Sequence, residues 1–74
     1  GLQAGSLDNY YNFTTSGRAN ELSQQTGKTF MGPIKPKMKR GEITYKTKNK
    51  VGLYFDPINN VAIEVKPDGT FNRL

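Results

Sequence analysis

Cysteine and histidine are both missing from this 74-residue chain, and each absence closes off a class of chemistry. Without cysteine there is neither a disulfide framework nor a thiolate metal site. Without histidine the chain lacks the commonest neutral-pH general base and the commonest metal ligand, so neither metal nor cofactor is expected. Hydrophobic residues are also scarce, at 34%. A chain this short buries only about 60% of its unfolded surface, so the core must be thin. No apolar run approaches the ~20 residues of a helical membrane span, and there is no signal-peptide hydrophobic region. The opening GLQAGS lacks an initial Met and reads like the cut end of a domain excised from something longer.

Positive charge, by contrast, is plentiful and uneven. The net charge is +5, yet Lys28 to Lys50 alone holds eight basic residues against Glu42, a local balance of +7. The remainder holds Arg18, Lys66 and Arg73 against Asp8, Glu21, Asp56, Glu64 and Asp68, a balance of −2. Such asymmetry favours a polyanionic partner, nucleic acid first, over a merely solvated surface.

Four regions of one small domain, 1–74, are expected. Residues 1–8 read as a flexible lead. Residues 9–27 form an aromatic segment, with Tyr10, Tyr11 and Phe13 available for packing, and then a short helix. Thr15 or Ser16 caps that helix, Ala19 and Leu22 face inward, and Gly27 supplies the left-handed stop. Residues 28–41 are a basic loop: KTFM is a short strand at most, and Pro33 and Pro36 lack the donors a central strand needs.

From 42 to 74 apolar and polar residues alternate. Ile43, Tyr45 and Thr47 form one set, Val51, Leu53 and Phe55 a second, Val61, Ile63 and Val65 a third, and Phe71 opens a last strand. KNK, DPINN and KPDGT provide the turns, the last with Pro67 opening a type I turn and Gly69 as the left-handed residue. The fold class is therefore α+β: a four-stranded antiparallel meander with one or two short N-terminal helices packed on one face.

Requiring the apolar residues to share a face sets a register. Ile43 is expected opposite Phe55, Tyr45 opposite Leu53, and Thr47 opposite Val51. Leu53 then meets Ile63, Phe55 meets Val61, and Val65 meets Phe71. The other face carries a row of Thr44, Tyr54 and Ala62 and a row of Lys46, Gly52, Glu64 and Asn72. In the second row Gly52 leaves a gap across which Lys46 and Glu64 can meet, two strand spacings, roughly 9.5 Å, apart. That gap has two readings, a surface ion pair or an acid and a cation on the floor of a cleft beside Tyr54.

No phosphate-cradling glycine loop or Ser/His/Asp set is present, and GKTF lacks the upstream glycine of a P-loop. The paired aromatic motifs of an RRM are missing too. A charged loop beside a sheet displaying Tyr54 suits single-stranded or looped RNA, with bases on tyrosine and phosphates on Lys or Arg.

The segment YKTKNKVGLYFDPINNVAIEVKPDGTF carries a further signal: a basic hairpin, then Val51 with Tyr54 to Pro57, Asn60 and Val61 with Ile63, and the turn Asp68 to Phe71. It resembles the C-terminal sheet of the ribonuclease domain of colicin D and related polymorphic toxins, bacteriocins and contact-dependent growth-inhibition proteins. These belong to a wider barnase, EndoU, colicin and RelE group of small α+β ribonucleases. The resemblance implies a toxin domain at the C-terminal end of a larger secreted protein. Such a domain cuts tRNA or other RNA in the target-cell cytoplasm, and a cognate acidic immunity protein neutralises it. The colicin D type uses a histidine, which this chain lacks, so either the resemblance is to the fold alone, or cleavage is histidine-free, as in the colicin E5 and RelE types, or the domain is an engineered inactive form.

Metal-independent cleavage through the 2′-hydroxyl needs a base, a cation for the phosphorane and an acid for the leaving oxygen. Glu64 is the candidate base and Lys46 the cation beside it, while Tyr54 stacks a base or donates a proton. Arg18, Lys28, Lys39 and Arg40 are candidates for the phosphate clamp. Lys35, Lys37, Lys48 and Lys50, with Asn72, position the RNA backbone. The alternative is a non-catalytic RNA-binding or ribosome-associated module. Either way a monomer is expected.

Overall fold

The computed structural model describes residues 2–45 and 50–74. Among these, two helices pack on a four-stranded sheet, and a separate two-stranded hairpin covers part of the sheet's other face. The α+β class is as expected. The arrangement of strands is not.

Helix α1 (Leu2–Thr15) takes in most of the residues 1–8 expected as a flexible lead and continues through the aromatic segment that follows. Its described contacts with the sheet come from its last turns. There Phe13 stacks on Phe55 with ring centres 4.2 Å apart, Tyr10 lies against Phe30, and the Asn9 side-chain amide donates to the Pro57 carbonyl at 2.9 Å. Helix α2 (Arg18–Thr26) buries Ala19 and Leu22 and ends at a left-handed Gly27, all as the sequence indicates. Thr15 and Ser16 do not cap it, however. Their hydroxyls donate back to the Tyr11 and Phe13 carbonyls of α1, and Gly17 takes the N-cap position without a side-chain bond.

The main sheet runs β1 (Phe30–Pro33), β4 (Gly52–Asp56), β5 (Val61–Val65) and β6 (Phe71–Arg73), with β1 parallel to β4 and the other pairs antiparallel. Strand β2 (Pro36–Lys39) pairs with β3 (Glu42–Tyr45) as a hairpin of its own. The expected pairing of β3 with β4, Ile43 on Phe55 and Tyr45 on Leu53, is therefore corrected. Ile43 faces Met38 and Tyr45 faces Pro36. The cause is local. Arg40 and Gly41 adopt φ of 52° and 83°, the pair of left-handed residues that closes a two-residue type I′ hairpin, while β1 and β5 occupy both edges of β4. Thr47 lies outside the described residues. Pro33 and Pro36 do keep to edge strands, where a missing donor costs no ladder bond.

Register differs as well. Leu53 faces Glu64, Tyr54 faces Ile63 and Phe55 faces Ala62, one residue away from the expected pairing of Leu53 with Ile63. That expectation assumed one buried face, whereas this sheet is covered on both. Leu53, Phe55 and Ala62 meet Leu22, Phe13 and Phe30 on the helix side. Ile63 and Val65, with Tyr54, Val61 and Phe71, meet Ile34, Tyr45 and Ile43 on the hairpin side. Val65 opposite Phe71 and Glu64 opposite Asn72 hold as expected, as does the Lys66–Thr70 turn with a left-handed Gly69.

Candidate nucleic-acid interface

The stretch 28–41 expected as a basic loop instead supplies β1 to the main sheet and β2 to the β2–β3 hairpin. Alternation along β2 and β3 puts Lys37 and Lys39 on one face with Thr44 and Glu42, while Pro36, Met38, Ile43 and Tyr45 line the other. Pro36, Ile43 and Tyr45 are partly or fully buried. Met38 remains 68% exposed, so the distal half of the hairpin is uncovered on both sides. Arg40 stands at the tip, and Lys35 precedes the first strand, exposed. Among the described residues the ion pairs are Arg18–Glu21 and Lys28–Glu64, so neither engages a hairpin cation. Lys46 and Lys48 lie outside the described residues. Lys50 is exposed beyond them and accepts, through its carbonyl, the Tyr54 hydroxyl at 3.3 Å.

A second charged feature lies on the helix side. Glu64, on β5, places Oε2 3.3 Å from Nζ of Lys28, just past α2, and the two side chains are 17% and 22% exposed. Asn72 is the direct cross-strand neighbour of Glu64. Lys28 is expected from the sequence as part of the phosphate clamp. Here it is the described partner of the candidate base.

The other candidate catalytic groups are dispersed. Tyr54 points to the hairpin side of the sheet, opposite Glu64, because it faces Ile63 while Leu53 faces Glu64. Arg18 and Lys28 lie at opposite ends of α2, which spans about 13 Å for nine residues at ~1.5 Å each. Arg18 is exposed and pairs with Glu21 at 3.3 Å. It also lines a cleft of about 230 Å³ with Asn60, Phe13, Leu22, Phe55 and Ala62. Gly52 does not make room for a ligand beside Glu64. It faces Val65 on the opposite surface, where a methyl group added to it would lie 2.5 Å from Met31 Cγ and 3.1 Å from the Thr29 carbonyl oxygen.

One polar knot was not anticipated. The Asp56 carboxylate is fully buried and accepts from the Tyr45 hydroxyl at 3.1 Å, the Asn59 side-chain amide at 2.7 Å and the backbone N–H groups of Ile58 and Asn59. Burial, first, and the Asp56 carboxylate, second, raise the Tyr45 pKa above its ordinary value, with Arg73 acting in the opposite direction. With its lone pairs so occupied, Asp56 pins the β4–β5 turn and is not available to a substrate. The DPINN segment carried the signal, since an Asp followed by Pro and Asn side chains is ordinary Asx-turn chemistry. The Tyr45 partner, eleven residues away, had no local signature.

Comparisons with family models, curated proteins and solved structures return no match.

Proposed function

We propose that this chain binds RNA, gripping the phosphate backbone through the β2–β3 hairpin. The observation that carries the reading is the grouping of exposed Lys37, Lys39 and Arg40 on one closed hairpin whose cations take no part in the described ion pairs. Phosphate contacts supply affinity without sequence information, and lysines on an extended strand suit that task. The test is the salt dependence of binding to total tRNA. Replacing Lys35, Lys37, Lys39 and Arg40 together should lower the log–log salt slope by roughly 3, since each neutralised phosphate contributes about 0.7–0.9. An unchanged slope would remove the hairpin from the interface.

A second reading, RNA cleavage by a histidine-free toxin domain, is favoured by the Lys28–Glu64 pair together with the resemblance to colicin D-type ribonucleases. In that chemistry Glu64 takes the 2′-hydroxyl proton, and the 2′-oxygen bonds to phosphorus as the P–O5′ bond breaks. Lys28 offsets the charge of the phosphorane, and the 5′-oxygen takes a proton from solvent. Delivery as the C-terminal part of a secreted toxin and inhibition by an acidic immunity protein belong to this reading. Discrete tRNA fragments produced by the purified domain and lost in Glu64→Gln, with RNA binding intact, would establish cleavage. Intact tRNA with a measurable shift leaves the binding module.

A further inference from the structure

We infer that the RNA held by this hairpin is double-helical, a stem and not a single strand; the inference rests on the RNA-binding reading above. Single strands are held by a basic groove combined with aromatic side chains on which successive bases stack. The chain has four tyrosines and four phenylalanines, and their positions are all described. Phe13, Phe30 and Phe55 pack among themselves with Tyr10 under the helices. Tyr45 is buried edge-on against Phe71. Tyr54 is packed against the core with its hydroxyl tied to the Lys50 carbonyl. Only Tyr11 is mostly exposed, at 66%, and it lies on α1, across the sheet from the hairpin. Beside the basic ribbon the rings of Tyr54 and Phe71 are partly buried in the hairpin-side core, and no largely exposed ring lies there.

What the ribbon offers fits a duplex. Lys37 and Lys39 are two residues apart on one face of β2, which sets them roughly 6.7 Å apart along an extended strand. The left-handed Arg40–Gly41 turn closes the hairpin, so the paired backbone holds both lysines on one face, with Glu42 opposite Lys39. A duplex carries two phosphate strands along one axis and so a higher charge density than a single strand. Its phosphates and 2′-hydroxyls are read by shape across the minor groove, without unstacked bases. A polar ribbon with Thr44 on the same face as the lysines can meet those groups. It cannot splay and stack a single strand.

The experiment compares an 18-base-pair RNA duplex with an unstructured single strand of equal length, by fluorescence anisotropy against the whole chain at two salt concentrations. The duplex should bind at least about tenfold more tightly, with a steeper salt slope, because a duplex of higher charge density releases more counterion per contact than a single strand. Tyr11→Ala, which removes the only largely exposed ring, should leave both affinities unchanged. Equal or tighter single-strand binding, or loss of single-strand affinity in Tyr11→Ala, overturns the duplex inference while RNA binding stands. No binding to either RNA overturns the RNA-binding reading itself, and the inference with it.

Discussion

Glu64 and Lys28 meet 3.3 Å apart under the C-terminal end of α2, with less than a quarter of either side chain exposed. Breaking a pair this covered costs more than breaking a surface ion pair, because removing one partner strands the other in a half-dry site. Lys28→Met and Glu64→Gln should each destabilise the fold by about 1–3 kcal/mol. The double change should cost less than the sum of the two by at least ~0.5 kcal/mol, the signature of direct contact. A double-mutant cycle by urea denaturation measures this, and strict additivity would show that the contact contributes nothing in solution.

The hairpin tip couples stability to binding in opposite directions. Arg40 is held at φ 52°, a conformation that costs a side-chain-bearing residue about 1–2 kcal/mol. Asn before Gly is the favoured pair for this turn. Arg40→Asn should therefore stabilise the chain by about 0.5 kcal/mol, while weakening RNA binding several-fold through loss of one phosphate contact. Thermal denaturation and anisotropy, run on the same preparation, check both. A variant that loses stability would show that the arginine has a compensating contact at the tip.

How far the sequence could be read depends on which physical rule governed each segment. Turn and cap chemistry is local, and Gly27, the Lys66–Thr70 turn and the inward Ala19 and Leu22 were all legible from it. The register of β5 was not, because choosing it required knowing how many faces of the sheet are covered. The run Val61-Ala62-Ile63-Glu64-Val65 held the clue: a nearly continuous apolar strand indicates burial on both faces. Its burial alternates between helix side and hairpin side instead of between core and solvent. The β2–β3 hairpin was hidden because arginine, not asparagine, precedes Gly41, so the turn lacked its usual sequence mark. Both misreadings moved the candidate site. They placed Tyr54 and Gly52 beside Glu64, when each lies on the other surface.

Gly52 offers a direct test of that correction. A methyl group there would press on Met31 Cγ and the Thr29 carbonyl oxygen, so Gly52→Ala should cost about 1–3 kcal/mol of stability as overpacking. Shortening Met31 to Ala in the same chain should recover part of the loss, leaving the strain against the Thr29 backbone. RNA affinity measured well below the unfolding transition should not change. If Gly52→Ala instead left stability intact and lowered affinity, the glycine would be making room for a ligand after all.

The Tyr45–Asp56 bond predicts the alkaline limb of the stability curve. Burial and the neighbouring carboxylate raise the Tyr45 pKa above its ordinary value of 10.0, so the folded chain holds the phenolic proton more tightly than the unfolded chain does. The associated stability is fully present below pH 10 and is lost as the pH climbs through the raised folded value. Asp68 sets an opposite, acid-side dependence. The Thr70 hydroxyl, and then its backbone N–H, lower the Asp68 pKa below its usual value of 3.8, so that contribution is present above 3.8 and lost as the pH falls through the lowered folded value. Tyr45→Phe should cost about 1 kcal/mol at neutral pH, one hydrogen bond to a buried acceptor that keeps its Asn59 and backbone donors. It should also flatten the fall in stability above pH 10 while leaving the acid limb unchanged. Urea midpoints collected from pH 3 to 11 on both chains separate these effects, and an alkaline limb that survives in Tyr45→Phe would assign it to another group.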